Sequence, residues 1–591
     1  MTQQKTAEEL AKKQREISIA EFFEKNRHLL GFDNPRKALL TAVKEGVDNA
    51  LDACEEARIL PEVNVEMIQL AENRFRVVME DNGPGIIPKQ VPKIFAKLLY
   101  GSKFHKLAQS RGQQGIGISA AVLYAQLTTG KPASITSKTG PDKKAYHCKL
   151  KINTQTNNPD ILEEKETDWE GKNHGTRIEI DMEGTYIKGR QSVDEYLKET
   201  AIVNPHVTII YTTPEAQQII FPRVTETLPT EAKEIQPHPY GVELGRLMKM
   251  LETTETKTLQ QFLTTEFCRV GASAAKEICE NASLLPTAKP HNITRDMTEQ
   301  LMNGIQKTKI MAPPTDCISP ITAELLERGL RKEINAEFYC SASRPPAVYR
   351  GNPFIIEVAL AYGGEQEADS AVRIMRFANR VPLLYQQGAC AITSAIQNTA
   401  WRSYGLNQSA GSLPVGPCTI VVHMSSVWVP FTSESKEALA HYPEITKEIK
   451  LALQDAGRKL ASFISKKRRI GDEAKKRSYI EKYIPHVAEA ITEIASLTVQ
   501  QKQEMEQNLR TILEKTRGEL EDISIDNPDY DPELAKIGQE EETEEEIPPE
   551  EETKTRRKAK EEKKTAGGDD DDDDKDDDHD EEEHDGQTRL M

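Results

Sequence analysis

Four short segments carry the residue types from which a phosphate-handling site can be built. Glu45 and Asn49 stand four positions apart in Glu45-Gly-Val-Asp-Asn49, with Asp52 three further on. On a helix this spacing sets all three on one face. A carboxylate placed there can take a proton from water, and the Asn49 side-chain oxygen suits a hard cation such as Mg²⁺. A solvated polar stripe is the other reading of the same spacing. Asp81 opens Asp81-Asn-Gly-Pro-Gly85. Held at a strand end, with Gly85 permitting close approach, its carboxylate can accept a hydrogen bond from an exocyclic amine such as that of adenine, although Asn, Gly and Pro together are also ordinary turn chemistry. Gly112-Gln-Gln-Gly-Ile-Gly-Ile-Ser119 puts Gly112, Gly115 and Gly117 just ahead of a helical pattern, where backbone N–H groups suit phosphate oxygens. Gly175-Thr176 is the fourth segment. The pair Gly130-Lys131 lacks the earlier glycine and the following Ser or Thr of a P-loop.

The elements that must hold these residues can be read from periodicity. Leu39, Val43, Val47, Ala50 and Cys54 recur at helical spacing between Arg36 and Arg58. Val63–Leu70 and Phe75–Glu80 read as strands joined by a short polar turn, the second running into Asp81. A helix is expected after Gly117, then strands at Ala133–Ser137, Ala145–Ile152 and Thr176–Met182. These imply a layered α+β domain with a mainly antiparallel sheet. Residues Gln236 to Lys309 turn helical. Strand patterns return at Pro353–Gly364, Arg373–Leu384 and Cys418–Met424, marking a second α/β domain. Lys436 is expected to open a long helical stretch towards Ile470, with more helix through Met505, Leu509, Ile512, Thr516 and Leu520, ended at Asn527–Pro532.

A chain of 591 residues is long enough for about four domains at roughly 150 residues each. The boundaries expected are 1–232, 233–310, 311–470, 471–534 and a disordered tail at 535–591. Of the net charge of −18, the segment Glu540–Met591 carries −16 (25 acidic and 9 basic residues), so the body is nearly neutral and the acidic total says nothing against DNA binding. Six consecutive aspartates, Asp569–Asp574, fall in that segment, which cannot bury enough apolar surface to offset chain entropy. The eight cysteines are scattered without a CxxC pair and read as reduced thiols of a cytoplasmic protein. The polar N-terminus lacks the apolar stretch of a signal peptide, and no apolar run is long enough for a membrane span.

Taken in order, the four segments resemble the N, G1, G2 and G3 motifs of the Bergerat-fold ATPases, the GHKL superfamily of gyrase, heat-shock chaperones, histidine kinases and MutL. That resemblance implies ATP and Mg²⁺ as ligands. Glu45 is then the general base, Asn49 the Mg²⁺ ligand and Asp81 the adenine reader, with Gly85 and Thr176 beside it. Ser102 and Lys103, with Gly112, Gln113, Gln114, Gly115, Ile116, Gly117, Ile118 and Ser119, form the lid and phosphate cradle. No kinase H-box and no TOPRIM signature follow. Instead Tyr100–His105, Ser110–Pro132, Arg344–Gly364, Arg376–Cys390 and Val427–Ala438 are similar to the B subunits of type IIB DNA topoisomerases, the topoisomerase VI family, over about Ser18 to Ile525.

From this second resemblance come a Bergerat ATPase domain behind an N-terminal strap (Ser18–Asn34) that swaps across a dimer, a helix–two-turn–helix domain with its hairpin at Val270–Ile278, and a transducer whose switch lysine is Lys436. ATP-driven self-dimerisation, a DNA-cutting A subunit in an A₂B₂ assembly, double-stranded DNA as substrate, no membrane and a cytoplasmic, nucleoid-associated location follow as expectations. The basic cluster Lys466–Arg469 with Lys475–Arg477 suits DNA phosphate and equally a solvated helix face. An ATP-driven clamp or chaperone-like ATPase without a cutting partner is the alternative function, and a decayed, non-catalytic scaffold a third.

Overall fold

The computed structural model describes residues 10, 11, 14, 16–103, 106–112, 115–433 and 435–517. Gln113, Gln114, the end of the last helix near Leu520, its expected stop at Asn527–Pro532 and the acidic tail lie outside them.

After a short helix α1 (Ile19–Lys25), the sequence Asn34-Pro35 starts α2 (Pro35–Glu56). The Asn34 side chain accepts from the Lys37 N–H, and proline fills the first turn, where no N–H is required. Leu39, Val43, Val47, Leu51 and Cys54 are wholly or almost wholly buried. They pack α2, with α3 (Val91–Ala96), α4 (Gly117–Thr129) and α5 (Val193–Val203), over one face of an eight-stranded sheet.

Its strands are β1 (Glu62–Ala71), β2 (Arg74–Asp81), β3 (Ala133–Lys138), β4 (Ala145–Asn153), β5 (Asn158–Thr167), β6 (Gly175–Glu183), β7 (Thr208–Thr212) and β8 (Gln218–Phe221). They run in the order β5-β4-β3-β6-β2-β1-β7-β8, and every pairing is antiparallel except β1 with β7. Glu80 pairs with Arg177 across β2 and β6, so the end of β2 meets the start of β6. Two segments ninety residues apart in sequence thereby share one edge of the cleft.

Helices α6 (Leu244–Thr253), α7 (Leu259–Glu266), α8 (Ala272–Asn281) and α9 (Arg295–Lys307) enclose a small core of their own around Phe262, Leu263, Ile278 and Leu301. Val270-Gly271 forms the turn between α7 and α8. The second sheet comprises β9 (Phe338–Ser343), β10 (Ala347–Tyr349), β11 (Asn352–Tyr362), β12 (Arg373–Ala378), β13 (Val381–Pro382) and β14 (Cys418–Ser426). It is ordered β10-β11-β14-β12-β13, with β9 also on β11. The single strand expected over Arg373–Leu384 is in fact a hairpin. It turns at Asn379-Arg380, both left-handed (φ 48 and 64), without the Asn-Gly that normally signals such a turn.

Helix α10 (Ala323–Glu333) lies between this sheet and α5. There Leu326, Leu330, Ile202, Phe377 and Val421 form one apolar cluster. Helix α11 (Ala391–Gln397) and the first turns of α12 (Pro443–Ala495) complete the second domain's core. Gly457 allows the Tyr404 ring to lie directly on the α12 backbone, since an added Cβ would fall 2.6 Å from it. Beyond Phe463 only Ile484 and Ala488 are buried on α12, where it packs against α13 (Val499–Arg517).

Two expectations about this region change. The long helix starts at Pro443 rather than Lys436, because proline takes the first helical position and holds Tyr442 extended (φ −127, ψ 132). It also runs unbroken through residue 470 to Ala495, carried by lysine, arginine and glutamate, all good helix formers.

Candidate functional site

A cleft of about 600 Å³ opens between α2, α4, the β2–β6 edge, the loop residues 100–103, 112, 115 and 116, and residues 435–437. Glu45, Asn49, Asp81, Gly85, Ser102, Lys103, Gly112, Gly115, Ile116, Gly117, Ile118, Thr176 and Lys436 all line it. Glu45 is half-buried, and Asn49, one turn on, is exposed. The Glu45 carboxylate occupies the space that the absent side chain of Gly117 leaves free. A Cβ there would fall 1.7 Å from Glu45 Oε2. Gly117→Ala is therefore expected to displace the carboxylate and spare the fold. ATP hydrolysis should fall at least tenfold while nucleotide affinity stays within about threefold, as read by steady-state phosphate release beside equilibrium nucleotide binding.

Asp81 ends β2, and its Oδ1 accepts from the N–H of Gly83 (2.8 Å) and of Thr176 (3.2 Å). Both bonds fall on one oxygen, so the other retains accepting capacity for a ligand. Burial pushes the Asp81 carboxyl up to about 6. The Thr176 hydroxyl pairs with Ser137 Oγ at 3.2 Å. Gly85 is left-handed (φ 72), with the Lys138 carbonyl 2.0 Å from where a Cβ would stand. No other residue fits at Gly85 without moving backbone. Met79, Ile86, Ile94 and Ile178 give this end of the cleft an apolar lining, suited to a flat heterocycle.

Asp52 shares the face of Glu45 and Asn49 but does different work. Its carboxylate takes Lys103 Nζ at 2.6 Å and the Arg111 guanidinium at 2.9 Å. Burial opposes its charge, yet Lys103 and Arg111 hold the carboxyl below its usual range. Arg111, 3% exposed as a side chain, also forks onto Glu55 (2.7 and 2.9 Å) and donates to Asn204. The root of the glycine-rich loop is thus clamped to α2. Sequence reading missed Arg111 and Glu55. The one available signal was the arginine immediately before Gly112, which carries no chemistry until its partners are in place. Ser119 follows in the first turn of α4, and its hydroxyl donates back to the carbonyl of Ile116, the residue that precedes the helix (2.8 Å).

Lys436 reaches the same cleft from the second domain. It sits in a loop with left-handed backbone (φ 54), and its Nζ donates to the carbonyl of Arg111 at 2.9 Å. Pro382, Leu384 and Tyr385 line the cleft from that domain too. Among the described residues no group of three or more His, Cys, Asp or Glu could hold a metal.

Residues 38–185 match the family profile described as histidine kinase-, DNA gyrase B- and HSP90-like ATPase. Residues 313–476 match that of the topoisomerase VI B subunit, transducer. The chain is 53% identical over 488 residues to a protein from Methanococcoides burtonii named as the B subunit of type 2 DNA topoisomerase 6, covering 82% of this chain and 78% of that one. Proteins of the same name from Methanosarcina barkeri (53% identity, 83% and 79% covered) and Archaeoglobus fulgidus (49%, 82% and 80%) are similar over the same extent.

Proposed function

We propose how ATP hydrolysis is run here from one premise: this chain belongs to the B-subunit family of type 2 DNA topoisomerase 6. It is the ATP-hydrolysing component of a type IIB DNA topoisomerase, in which ATP-driven dimerisation gates one DNA duplex through a break made by a partner A subunit. The observation that carries the mechanism is the convergence of Glu45, Asp81 and Lys436, from two domains, on one cleft.

In this reading Asp81 accepts from the adenine amine through the oxygen that Gly83 and Thr176 leave free. Backbone N–H groups at Gly112, Gly115 and Gly117 cradle the phosphates, with Gln113 and Gln114 in the same loop and Ser102 and Lys103 at its other end. Glu45 removes a proton from the attacking water. Asn49 offers one neutral oxygen to Mg²⁺, an ion that takes its remaining ligands from phosphates and water. The bound ion would neutralise charge developing on the phosphates. Such a ligand set fits a cleft with no protein-only metal cluster.

Lys436 exchanges the Arg111 carbonyl for the γ-phosphate while that phosphate exists, so hydrolysis releases the second domain. The domain limits 1–232, 233–310, 311–470 and 471–534, the swapped strap and the A₂B₂ stoichiometry belong to this proposal. So does a cytoplasmic, nucleoid-associated location; among the described residues no helix is long and apolar enough to cross a membrane.

Reconstitution with an A subunit of the same family tests it. Supercoiled plasmid should relax only with ATP, Mg²⁺ and both subunits present. ATP-dependent dimerisation with no relaxation in the reconstituted pair would favour the clamp.

A further inference from the structure

Three consecutive residues at the root of the glycine-rich loop are each gripped by the second domain or the segment leading into it. The Gln109 N–H donates to the Cys317 carbonyl (2.8 Å), and its amide exchanges bonds with the N–H (2.7 Å) and carbonyl (3.1 Å) of Ser319. The Ser110 carbonyl accepts from Asn379 Nδ2 at 3.2 Å. The Arg111 carbonyl accepts from Lys436. Only the last of these partners belongs to the switch described above.

Asn379 and Arg380 form the β12–β13 turn, and an arginine there is a costly choice where glycine is ordinary. Their side chains show what the turn does. Asn379 Oδ1 accepts from the Ser426 N–H (2.9 Å), and its Nδ2 bridges the carbonyls of Ser426 (2.9 Å) and Ser110. Arg380 is 4% exposed. Its guanidinium donates to Ser319 and Pro320 and lies 3.7 Å from Glu55, the carboxylate that Arg111 also holds. Its N–H donates to His423 Nε2 (3.0 Å). That nitrogen must then be unprotonated, so Nδ1–H donates to Glu357 (2.9 Å) and the imidazole is neutral. The turn is pinned from behind and offers Asn379 to the loop root in a fixed orientation.

We propose that Asn379 is a second transducer-borne positioning residue for ATP hydrolysis: by holding the Ser110 carbonyl it fixes the peptide next to the one Lys436 grips, and so sets how the chain enters the phosphate cradle at Gly112. This rests on the function proposed above. The Asn379–Ser110 bond lies one residue from the carbonyl that Lys436 holds, so the two side chains grip successive peptides of one loop root.

Asn379→Asp tests it. The carboxylate still accepts from the Ser426 N–H and tolerates left-handed backbone, but it sets an acceptor against the carbonyls of both Ser110 and Ser426. We expect kcat for ATP hydrolysis to fall tenfold or more with KM within about threefold, at a melting temperature near that of the unaltered chain. In the double variant with Lys436→Ala, the loss should be smaller than the product of the single losses, since both act on one loop root. Wild-type kcat in a folded Asn379→Asp protein, or losses that multiply, would overturn the proposal. So would a kcat deficit that disappears once the unfolded fraction is corrected for. Should that variant not fold, Asn379→Gly, which keeps the turn and removes the donor, is read against the same outcomes. A wild-type chain that hydrolyses no ATP in the same assay would instead sink the proposed function.

Discussion

Glu45→Gln is expected to bind ATP and Mg²⁺, dimerise, and stay dimeric. The substitution keeps the shape of the side chain in the space left by Gly117 and removes only its basicity. Positioned general-base catalysis contributes about 10²–10⁴-fold, so hydrolysis should fall by at least about a hundredfold, with nucleotide affinity within about threefold. With hydrolysis as the proposed trigger for release of the dimer, the variant should accumulate as a nucleotide-bound dimer and support at most one round of strand passage. Single-turnover phosphate release, with light scattering for the dimer, measures both. A variant hydrolysing within about threefold of the unaltered chain would move the base elsewhere.

Lys436→Ala removes a different function. The lysine is the one cleft-lining cation contributed by the second domain among the described residues, and in this state its ammonium rests on a backbone carbonyl. A carbonyl is a weaker partner for an ammonium than a phosphate, so on the proposed switch the γ-phosphate draws it away and ADP does not. Loss of one preorganised donor to a developing negative charge costs about 10²–10³-fold in kcat, and a fall of that size is expected. The more telling readout is discrimination. The unaltered chain should dimerise with a non-hydrolysable ATP analogue and not with ADP, whereas the variant should respond weakly and similarly to both. Unchanged ATP-specific dimerisation and strand passage would argue against the switch.

Much of the first domain was legible in sequence because its signals are local. The α2 spacing, the β1–β2 pair and the turn chemistry of Asp81–Gly85 are each local in sequence, and α2, the end of β2 and that turn meet at one cleft. Strand β5 was not legible. It is an edge strand carrying Glu163, Glu164 and Glu166, and charges that protect an edge also erase the alternation by which strands are recognised. The roles of Asp52 and Arg111 were hidden for another reason. Spacing on a helix says which residues share a face, but not which of them a loop sixty residues away will bury. Lys436 needed more still: only a family resemblance marks a lysine in a loop of another domain, and its left-handed backbone and contact with Arg111 have no sequence signature. In the same way, Asn379-Arg380 turned what reads as one strand into a hairpin because Arg380 overrides the usual preference for glycine.

The grip on α12 has a mechanical consequence. Its first turns, from Ile445 to Phe463, are held by the core of the second domain, and little of it is buried beyond Phe463. At a rise of about 1.5 Å per residue the gripped root is roughly 27 Å long and the outer arm from Phe463 to Ala495 about 50 Å. Any looseness in the root is therefore magnified nearly twofold at the far end, and a tilt of only about 5° sweeps that end through roughly 4 Å. The closeness of Tyr404 to Gly457 sets the aim of an element whose tip lies far from it: the tighter the bearing, the truer the arm.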